Sequence, residues 1–212
     1  MTASANHPTG KSITVKSTDE IRIMHEANQI VAEVLVMLHT IVEPGITTWE
    51  LDRQAEELCR KRDAVPAFKG YRGFPGSLCV SVNEEVVHGI PSRKRKLKKG
   101  DIISVDFGTL FKGYYGDSAV TIAVGKIDGT KNKLLKVTEQ SLLKAIEKVE
   151  IGNRVSDISA AVEQYVESKG FSVVKQFVGQ CIATSLHEGP EITNFVQNDS
   201  STRLIEGMVL DI

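Results

Sequence analysis

The chain has 212 residues, of which 25% are charged and 41% are hydrophobic, and its formal net charge is -1 at pH 7. This length is sufficient to bury a core as one large or two small globular domains. The nearly neutral charge gives no global signal for a nucleic-acid or membrane partner. No apolar run approaches the ~20 residues that cross a bilayer, and the N-terminus lacks a signal-peptide core. Three scattered cysteines, Cys59, Cys79 and Cys181, fit a reducing compartment, so the cytoplasm is the predicted location.

The predicted elements are two helices, three strands, two more helices and a fourth strand, and this grouping is typical of an α+β protein. Residues 1–16 are polar and are interpreted as a flexible arm, and residues 17–212 as one folded domain. Capping boxes open the first two predicted helices: Ser17 with Glu20, and Thr47 with Glu50. The predicted helices cover residues 17–43, 47–62, 131–148 and 156–169. The predicted strands cover residues 77–82, 101–110, 114–124 and 172–178, with a hairpin turn at Lys112-Gly113.

A repeat with an offset of 107 residues relates the two halves of the sequence. Val42-Glu43-Pro44-Gly45 recurs as Val149-Glu150-Ile151-Gly152, and Lys99-Gly100-Asp101-Ile102-Ile103 recurs as Glu206-Gly207-Met208-Val209-Leu210. The alternative is a chance similarity of two turn-helix units, and the second match at the same offset argues against it. A repeat of this length predicts two related α+β halves rather than a solenoid, whose periods are ~20–50 residues.

Two aspartates on the predicted hairpin form a candidate cation site. Asp106 lies in an otherwise apolar strand, and a buried carboxylate is costly unless it has a partner or a metal. With the turn at Lys112, Asp106 faces Ala119 and Asp117 faces Gly108. Both carboxylates then lie on one face as diagonal neighbours, with Cα atoms ~7–8 Å apart. Such a pair can hold two cations ~3.5–4 Å apart, although a pair of surface aspartates remains an alternative.

Five segments together carry a resemblance to a known family. They are Gly70 to Glu84, His88 to Pro91, Val105 to Gly108, Tyr115 to Ala119, and Thr184 to Pro190. Their combination resembles the type I methionine aminopeptidases over about residues 13–212. The resemblance implies a pita-bread fold with two pseudo-symmetric halves, the second truncated at its C-terminus. It also implies removal of the N-terminal methionine from nascent polypeptides, assisted by two divalent ions (Co, Mn, Fe, Zn or Ni).

The resemblance implies roles for individual side chains. Asp106 and Asp117 match two of the five metal ligands of the family. His88 matches a histidine that contacts the N-terminal region of the substrate. His187 matches a histidine near the scissile carbonyl, which helps to polarise it and to stabilise the oxyanion. The residues expected near the pocket for the methionine side chain are Tyr71, Phe74 and Cys79.

The sequence departs from the family pattern at the remaining ligands. The third ligand of the family is a histidine in Gly-His-Gly-Ile-Gly, where this chain has Gly179-Gln180-Cys181-Ile182-Ala183. An amide oxygen suits divalent transition metals less well than an imidazole nitrogen. The next glutamate of the family is expected directly after Ile212. The repeat predicts a ligand at the same place, because the position one repeat offset after Asp106 directly follows Ile212. With two of five ligands, we expect weak or no aminopeptidase activity.

Two other functions stay open. One is a catalytically inactive pita-bread module that binds peptide N-termini or a ribosomal partner. The substitutions at residues 180–183 favour it, whereas the retained histidines and aspartates argue against it. The other is a proline-specific aminopeptidase of the same fold. Those enzymes usually carry an additional N-terminal domain, for which residues 1–16 leave no room.

A basic run, Ser92-Arg93-Lys94-Arg95-Lys96-Leu97-Lys98-Lys99, precedes the strand that carries Asp106. A solvated loop is the simpler interpretation, and contact with ribosomal RNA phosphates is the alternative. The resemblance implies nascent peptide N-termini as partners, and the alternative interpretation of the basic run adds the ribosome. No membrane partner is expected, and the expected state is a monomer.

Overall fold

The computed structural model describes residues 4–5, 13–197 and 201–212. Within them the helices are α1 (Thr18–Ile41), α2 (Thr48–Lys61), α3 (Gly129–Ile146) and α4 (Val155–Ser168), and Tyr71–Gly73 forms a 3₁₀ turn. The strands are β1 (Ser4–Ala5), β2 (Ile13–Thr14), β3 (Val65–Pro66), β4 (Cys79–Val82), β5 (Ile102–Phe111), β6 (Tyr114–Ala123), β7 (Gly179–Cys181), β8 (Glu188–Ile192) and β9 (Leu210–Asp211). The chain divides into a central unit, residues 22–131, and a terminal unit, residues 1–21 with 132–212.

The sheet of the central unit is built on β5. This strand pairs over its whole length with β6 on one edge, and with β3 and then β4 on the other edge, always antiparallel. The β5–β6 turn has φ of 50° at Lys112 and 86° at Gly113. Positive φ at both central residues is what a tight type I′ hairpin turn requires. The predicted register is confirmed: Asp106 faces Ala119, and Asp117 faces Gly108.

One face of this sheet covers the hydrophobic core of the central unit. Alternate residues of β5 (Ile103, Val105 and Phe107) are fully buried there against α1 and α2. Because side chains alternate along a strand, Asp106 points to the opposite face. The core therefore fixes which face of the hairpin presents the acidic residues.

The terminal unit has its own core and sheet. Residues of α3 and α4 pack with the strand segment at Ile192 and with Leu204. In its sheet β7 is the middle strand, and it pairs antiparallel with β8 and β9. The strand order places the loop between β7 and β8 directly beside β7.

The repeat is confirmed in the backbone contacts of the two units. Helices α2 and α4 have 14 residues each, and their first residues, Thr48 and Val155, are one repeat offset apart. Equivalent contacts recur at that offset: the bridges Thr47–Lys96 and Arg154–Arg203, and the hydrogen bonds Gly45 N to Leu97 O and Gly152 N to Leu204 O. Chance similarity would not reproduce the same tertiary contacts, so the repeat reflects two related structural units.

The structure differs from two predictions about the terminal unit, which concern the strand at residues 172–178 and the end of the arm. The predicted strand at residues 172–178 is wrong, because this segment has no strand partner and the ladder begins at Gly179. The predicted arm lies mostly outside the described residues. Its last part, however, contains β2, and Ile13 and Lys16 are both buried. The boundary of the arm and the single catalytic domain stay predictions.

The capping box of α2 gives a stability prediction. Thr47 accepts a hydrogen bond from Glu50 N at 3.2 Å, and Glu50 accepts one from Thr47 N at 2.8 Å. Replacing Thr47 with alanine should lower the free energy of unfolding by about 1 kcal/mol, because one end of the box is removed. Thr40→Ala, at an exposed helical position, should change it by less than about 0.5 kcal/mol. Urea denaturation of both variants measures this, and equal effects would contradict it.

Candidate active site

The hairpin aspartates lie on the sheet face opposite the core. Asp106 and Asp117 are both half-buried, which does not fit a pair of exposed surface aspartates. Cys79 of β4 lies directly opposite Asp106 across the ladder. Burial, together with the negative charges of Asp106, Asp117 and Asp52, raises the pKa of the Cys79 thiol well above its ordinary value. The face therefore presents two carboxylates beside an un-ionised thiol.

Gly108 and Gly116, which flank the aspartates, allow neighbouring groups to pack closely and do not leave space for a ligand. A Cβ on Gly116 would lie 2.9 Å from the backbone of Ala27 and Asn28 in α1. A Cβ on Gly108 would lie 2.7 Å from the ring of Phe68. Both glycines thus allow a close approach of neighbouring chain to the hairpin, and this approach holds the aspartates in place.

The start of β4 is held by a buried carboxylate that the sequence patterns did not reveal. Asp52 of α2 is 7% exposed and accepts hydrogen bonds from Ser77 N at 2.7 Å and Leu78 N at 2.9 Å. Burial raises the pKa of Asp52, and the two backbone donors oppose that shift. These bonds fix the backbone immediately before Cys79. The available signal was an acidic residue beside Leu51 on the buried side of α2.

His88 lies on a segment pressed against β4. It is exposed and has a left-handed backbone with φ of 60°, which is uncommon for a residue with a side chain. The next residue, Gly89, approaches Val80 so closely that a Cβ would lie 2.0 Å from its carbonyl oxygen. Gly89 O accepts from Val80 N at 2.8 Å, and Gly89 N donates to Ser81 Oγ at 3.1 Å. His88 is therefore displayed from a firmly attached backbone.

Tyr71 and Phe74 lie in a loop that joins the same sheet. The loop is closed by hydrogen bonds from Gly70 N to Phe74 O at 2.8 Å and from Phe74 N to Tyr71 O at 2.9 Å. Both aromatic residues are half-buried. The segment before the loop attaches to β5 through Ala67 N and Gly108 O at 2.8 Å. The central unit thus gathers the aspartates, Cys79, the His88 segment and this loop around one sheet.

The remaining candidate residues belong to the terminal unit. His187 is exposed and follows the buried Leu186 in the loop between β7 and β8. Gln180 of β7, at the position of the family histidine, faces Asp211 across the ladder. Its amide group lies 3.5 Å from Asp211 Oδ2 and 3.5 Å from Leu186 O, both acceptors. Burial raises the pKa of Asp211 to about 6, and the Gln180 contact opposes that shift.

The oxygen atoms of the two hairpin aspartates are of a chemical type that binds divalent cations. Carboxylate oxygens bind Mg²⁺, Mn²⁺ and related ions, and Asp106 and Asp117 offer them from one half-buried face. Among the residues that the structure describes, no group of three or more His, Cys, Asp and Glu side chains is arranged to hold an ion. Asp106 and Asp117 are thus the two groups of this face that are chemically suited to hold an ion.

Comparison with known proteins places the chain in a family. The profile of metallopeptidase family M24 matches residues 22–212. The chain is 50% identical over 200 residues to a methionine aminopeptidase of Clostridium acetobutylicum, covering 94% of this chain and 80% of that protein. It is also 50% identical over 200 residues to methionine aminopeptidase 1 of Bacillus subtilis, with the same coverage. The chain therefore belongs to metallopeptidase family M24, and within it to the methionine aminopeptidases.

Solved structures support the fold. The crystal structure of a methionine aminopeptidase from Thermotoga maritima matches with a TM-score of 0.91 and 41% identity, covering 93% of this chain and 80% of that one. One from Rickettsia prowazekii matches with a TM-score of 0.91 and 34% identity, covering 93% and 79%. A prolidase from Pyrococcus furiosus, at 22% identity and a TM-score of 0.81, shares the fold. The predicted α+β pita-bread fold is confirmed.

The hairpin pair gives a binding prediction. Asp106→Asn and Asp117→Asn should each weaken Mn²⁺ binding at least about tenfold. Mutating even a residue that only hydrogen-bonds to a metal ligand lowers metal affinity by about that factor. Isothermal titration calorimetry of the full chain measures the affinity. Glu139→Gln removes one carboxylate from an exposed position of α3 and should leave it unchanged. Parental affinity in both asparagine variants would contradict the assignment.

Proposed function

We propose that this chain removes the N-terminal methionine from polypeptides by metal-assisted hydrolysis. The observation that carries the proposal is the pair Asp106 and Asp117 on one half-buried face of the β5–β6 hairpin. Its relatives in Clostridium acetobutylicum and Bacillus subtilis are named methionine aminopeptidases, which supports methionine as the residue removed.

In this proposal Asp106 and Asp117 hold divalent ions. Such ions, when bound, polarise the scissile carbonyl and activate a water molecule at neutral pH. The family resemblance assigns to His187 a hydrogen bond to the carbonyl oxygen as negative charge develops there, which would favour the tetrahedral state over the substrate. His88 contacts the N-terminal region of the peptide. Its backbone, attached to β4 through Gly89, supports this role because a fixed donor loses little freedom on binding.

The methionine side chain requires an apolar pocket next to the carboxylates. Tyr71, Phe74 and Cys79 are the proposed lining. Burial and the neighbouring aspartates hold the pKa of the Cys79 thiol high, so the thiol stays neutral. A neutral thiol behaves as a small, polarisable apolar surface, which suits a thioether.

We also propose that Gln180 limits the activity of this chain. The family resemblance puts a histidine ligand at this position, whereas the Gln180 amide group is directed toward Asp211 and Leu186 O. A neutral amide offers divalent transition metals a poorer donor than imidazole does. The metal would then be held weakly, and turnover would be slow at low metal concentration.

Replacing Gln180 with histidine tests whether this residue limits the activity. Gln180→His should raise kcat/KM for a methionyl peptide at least about tenfold with Co²⁺ or Mn²⁺. Gln140→His, which adds the same side chain at an exposed position of α3, should not change it. Release of methionine, followed by mass spectrometry, is the readout. Turnover of the parent chain equal to that of Gln180→His would contradict the limitation.

The second candidate function is an inactive module that binds peptide N-termini. It is favoured by the bulk of Cys181 and Ala183, which are both buried where the family has glycines. Saturable binding of a methionyl peptide without cleavage, by the parent chain and by Gln180→His alike, would support this function. That result would contradict the hydrolysis proposed above.

A ribosomal partner is proposed from the basic segment, residues 92–99. This segment is attached to the start of α2 by hydrogen bonds between Ser92 and Thr48 and by the burial of Leu97. The Arg93 guanidinium lies 3.4 Å from the centroid of the Trp49 ring. An anchored row of cations suits RNA phosphates better than a loose loop does.

Charge reversal tests the ribosomal contact. The triple variant Arg93→Glu, Lys94→Glu and Arg95→Glu should reduce co-sedimentation with ribosomes. It should also lower the salt dependence of binding by about 0.7–0.9 in log–log slope for each phosphate that the protein no longer neutralises. A control triple reversal of exposed lysines in α3 (Lys133, Lys136 and Lys144) changes the net charge equally and should retain binding. Unchanged co-sedimentation of the first variant would exclude the contact.

The cytoplasm and a monomeric state remain part of the proposal. Cys59, Cys79 and Cys181 are buried free thiols, as expected in a reducing compartment. In the described part of the chain, none of the helices combines the length and apolar character needed to span a bilayer.

A further inference from the structure

The terminal unit contains a buried lysine to which the proposed reaction assigns no role. The Lys16 side chain is 1% exposed, whereas lysine is rarely buried unless it is paired. Its Nζ donates to Glu188 Oε2 at 3.0 Å and to Thr14 O at 3.0 Å. Removing an ammonium group from water is costly, and these two contacts offset that cost for the Lys16 ammonium group.

The carboxylate of Glu188 connects Lys16 to the loop of His187. Its Oε2 binds Lys16, and its Oε1 accepts from Ser185 N at 3.2 Å, closing the turn that runs from Ser185 to Glu188. His187 lies within this turn, after the buried Leu186. The one carboxylate thereby links the backbone before the histidine, at Ser185, to the buried Lys16.

Lys16 is itself held by its backbone, independently of its side chain. Its N–H donates to Gly207 O at 2.8 Å. Gly207 has φ of 84°, and a Cβ there would lie 2.7 Å from Lys16 O, so the two backbones are in close contact. The lysine therefore reaches Glu188 from a fixed platform.

The Lys16 end of the ion pair is closed to water, whereas the Glu188 side chain remains 14% exposed. Cys181 of β7 faces Glu188 across the ladder and is 1% exposed. Burial raises the pKa of the Cys181 thiol to about 11, while Lys16 lowers it and Glu188 raises it. At the buried Lys16 end the attraction between the two charges is less screened than it is between two exposed charges.

We propose that Lys16 is a positioning residue for His187, acting through Glu188. The proposal rests on the role of His187 in the proposed hydrolysis. Without the ammonium group, the Glu188 carboxylate loses its strongest partner and turns toward water, and the Ser185–Glu188 turn loosens. The imidazole of His187 then no longer lies in a single position. A displacement of about 1 Å at a reacting group reduces a rate about 10²-fold.

Nuclear magnetic resonance tests the positioning without any catalysis. In Lys16→Met the imidazole signals of His187 should shift, and the Ser185 amide should exchange with solvent at least about tenfold faster. Lys16→Arg, which keeps the charge, should restore most of both parental values. Lys144→Met, which removes an exposed lysine of α3, should change neither. Parental His187 signals and Ser185 exchange in Lys16→Met would overturn the proposal.

A second variant, Glu188→Gln, tests the proposal if Lys16→Met does not fold. Glu188→Gln keeps the volume of the side chain and an acceptor oxygen for Ser185, but it removes the charge that attracts Lys16. The same His187 signals should shift in this variant by a smaller amount. Unshifted signals in a folded Glu188→Gln protein would also overturn the proposal.

Kinetics separates positioning from a general structural role. Lys16→Met should lower kcat for a methionyl peptide about 10²-fold with little change in KM. In a His187→Ala background the same change should cause little further loss, because the group that Lys16 positions is absent. Equal losses in both backgrounds would contradict the proposal. If the parent chain cleaves no peptide, the proposed hydrolysis fails, and the resonance measurements alone decide the role of Lys16.

Discussion

The register of the β5–β6 hairpin is the constraint on which the candidate site depends. The turn at Lys112 and Gly113 sets the pairing, and the burial of Val105 and Phe107 holds it. A slip by one residue would exchange the two faces, placing Asp106 in the apolar core and Phe107 in water. The free energy of burying these apolar side chains therefore also determines where the two carboxylates lie. The metal chemistry that we propose for this face therefore depends on packing on the other face.

The repeat shows how one scaffold carries two different sets of groups. In each unit the turn before a 14-residue helix is attached to a later segment by the same backbone contacts, at Leu97 and at Leu204. The central unit adds an acidic hairpin to this scaffold. The terminal unit adds the His187 loop and its support by Lys16 and Glu188. The two units share these backbone contacts, whereas the residues proposed for the chemistry differ between the units.

Local patterns in the sequence predicted much of the fold, and long-range contacts could not be read from them. Capping boxes and helical spacing located the helices, and the turn residues located the hairpin with its register. The strand at residues 172–178 was wrong, because apolar alternation says nothing about whether a partner strand is available. The Lys16–Glu188 pair joins residues 172 positions apart, and neither follows a periodic pattern. Asp52 was missed because one acidic residue on an amphipathic helix resembles an ordinary surface residue until its backbone donors are known.

Anomalous X-ray diffraction from a crystal of this chain soaked in Mn²⁺ tests the central claim most directly. It locates the ion without reference to activity, substrate or the other unit. The account predicts an anomalous peak on the hairpin face opposite the core, within about 2.0–2.6 Å of carboxylate oxygens of both Asp106 and Asp117. Peaks confined to other parts of the surface, with none between these two side chains, would contradict it.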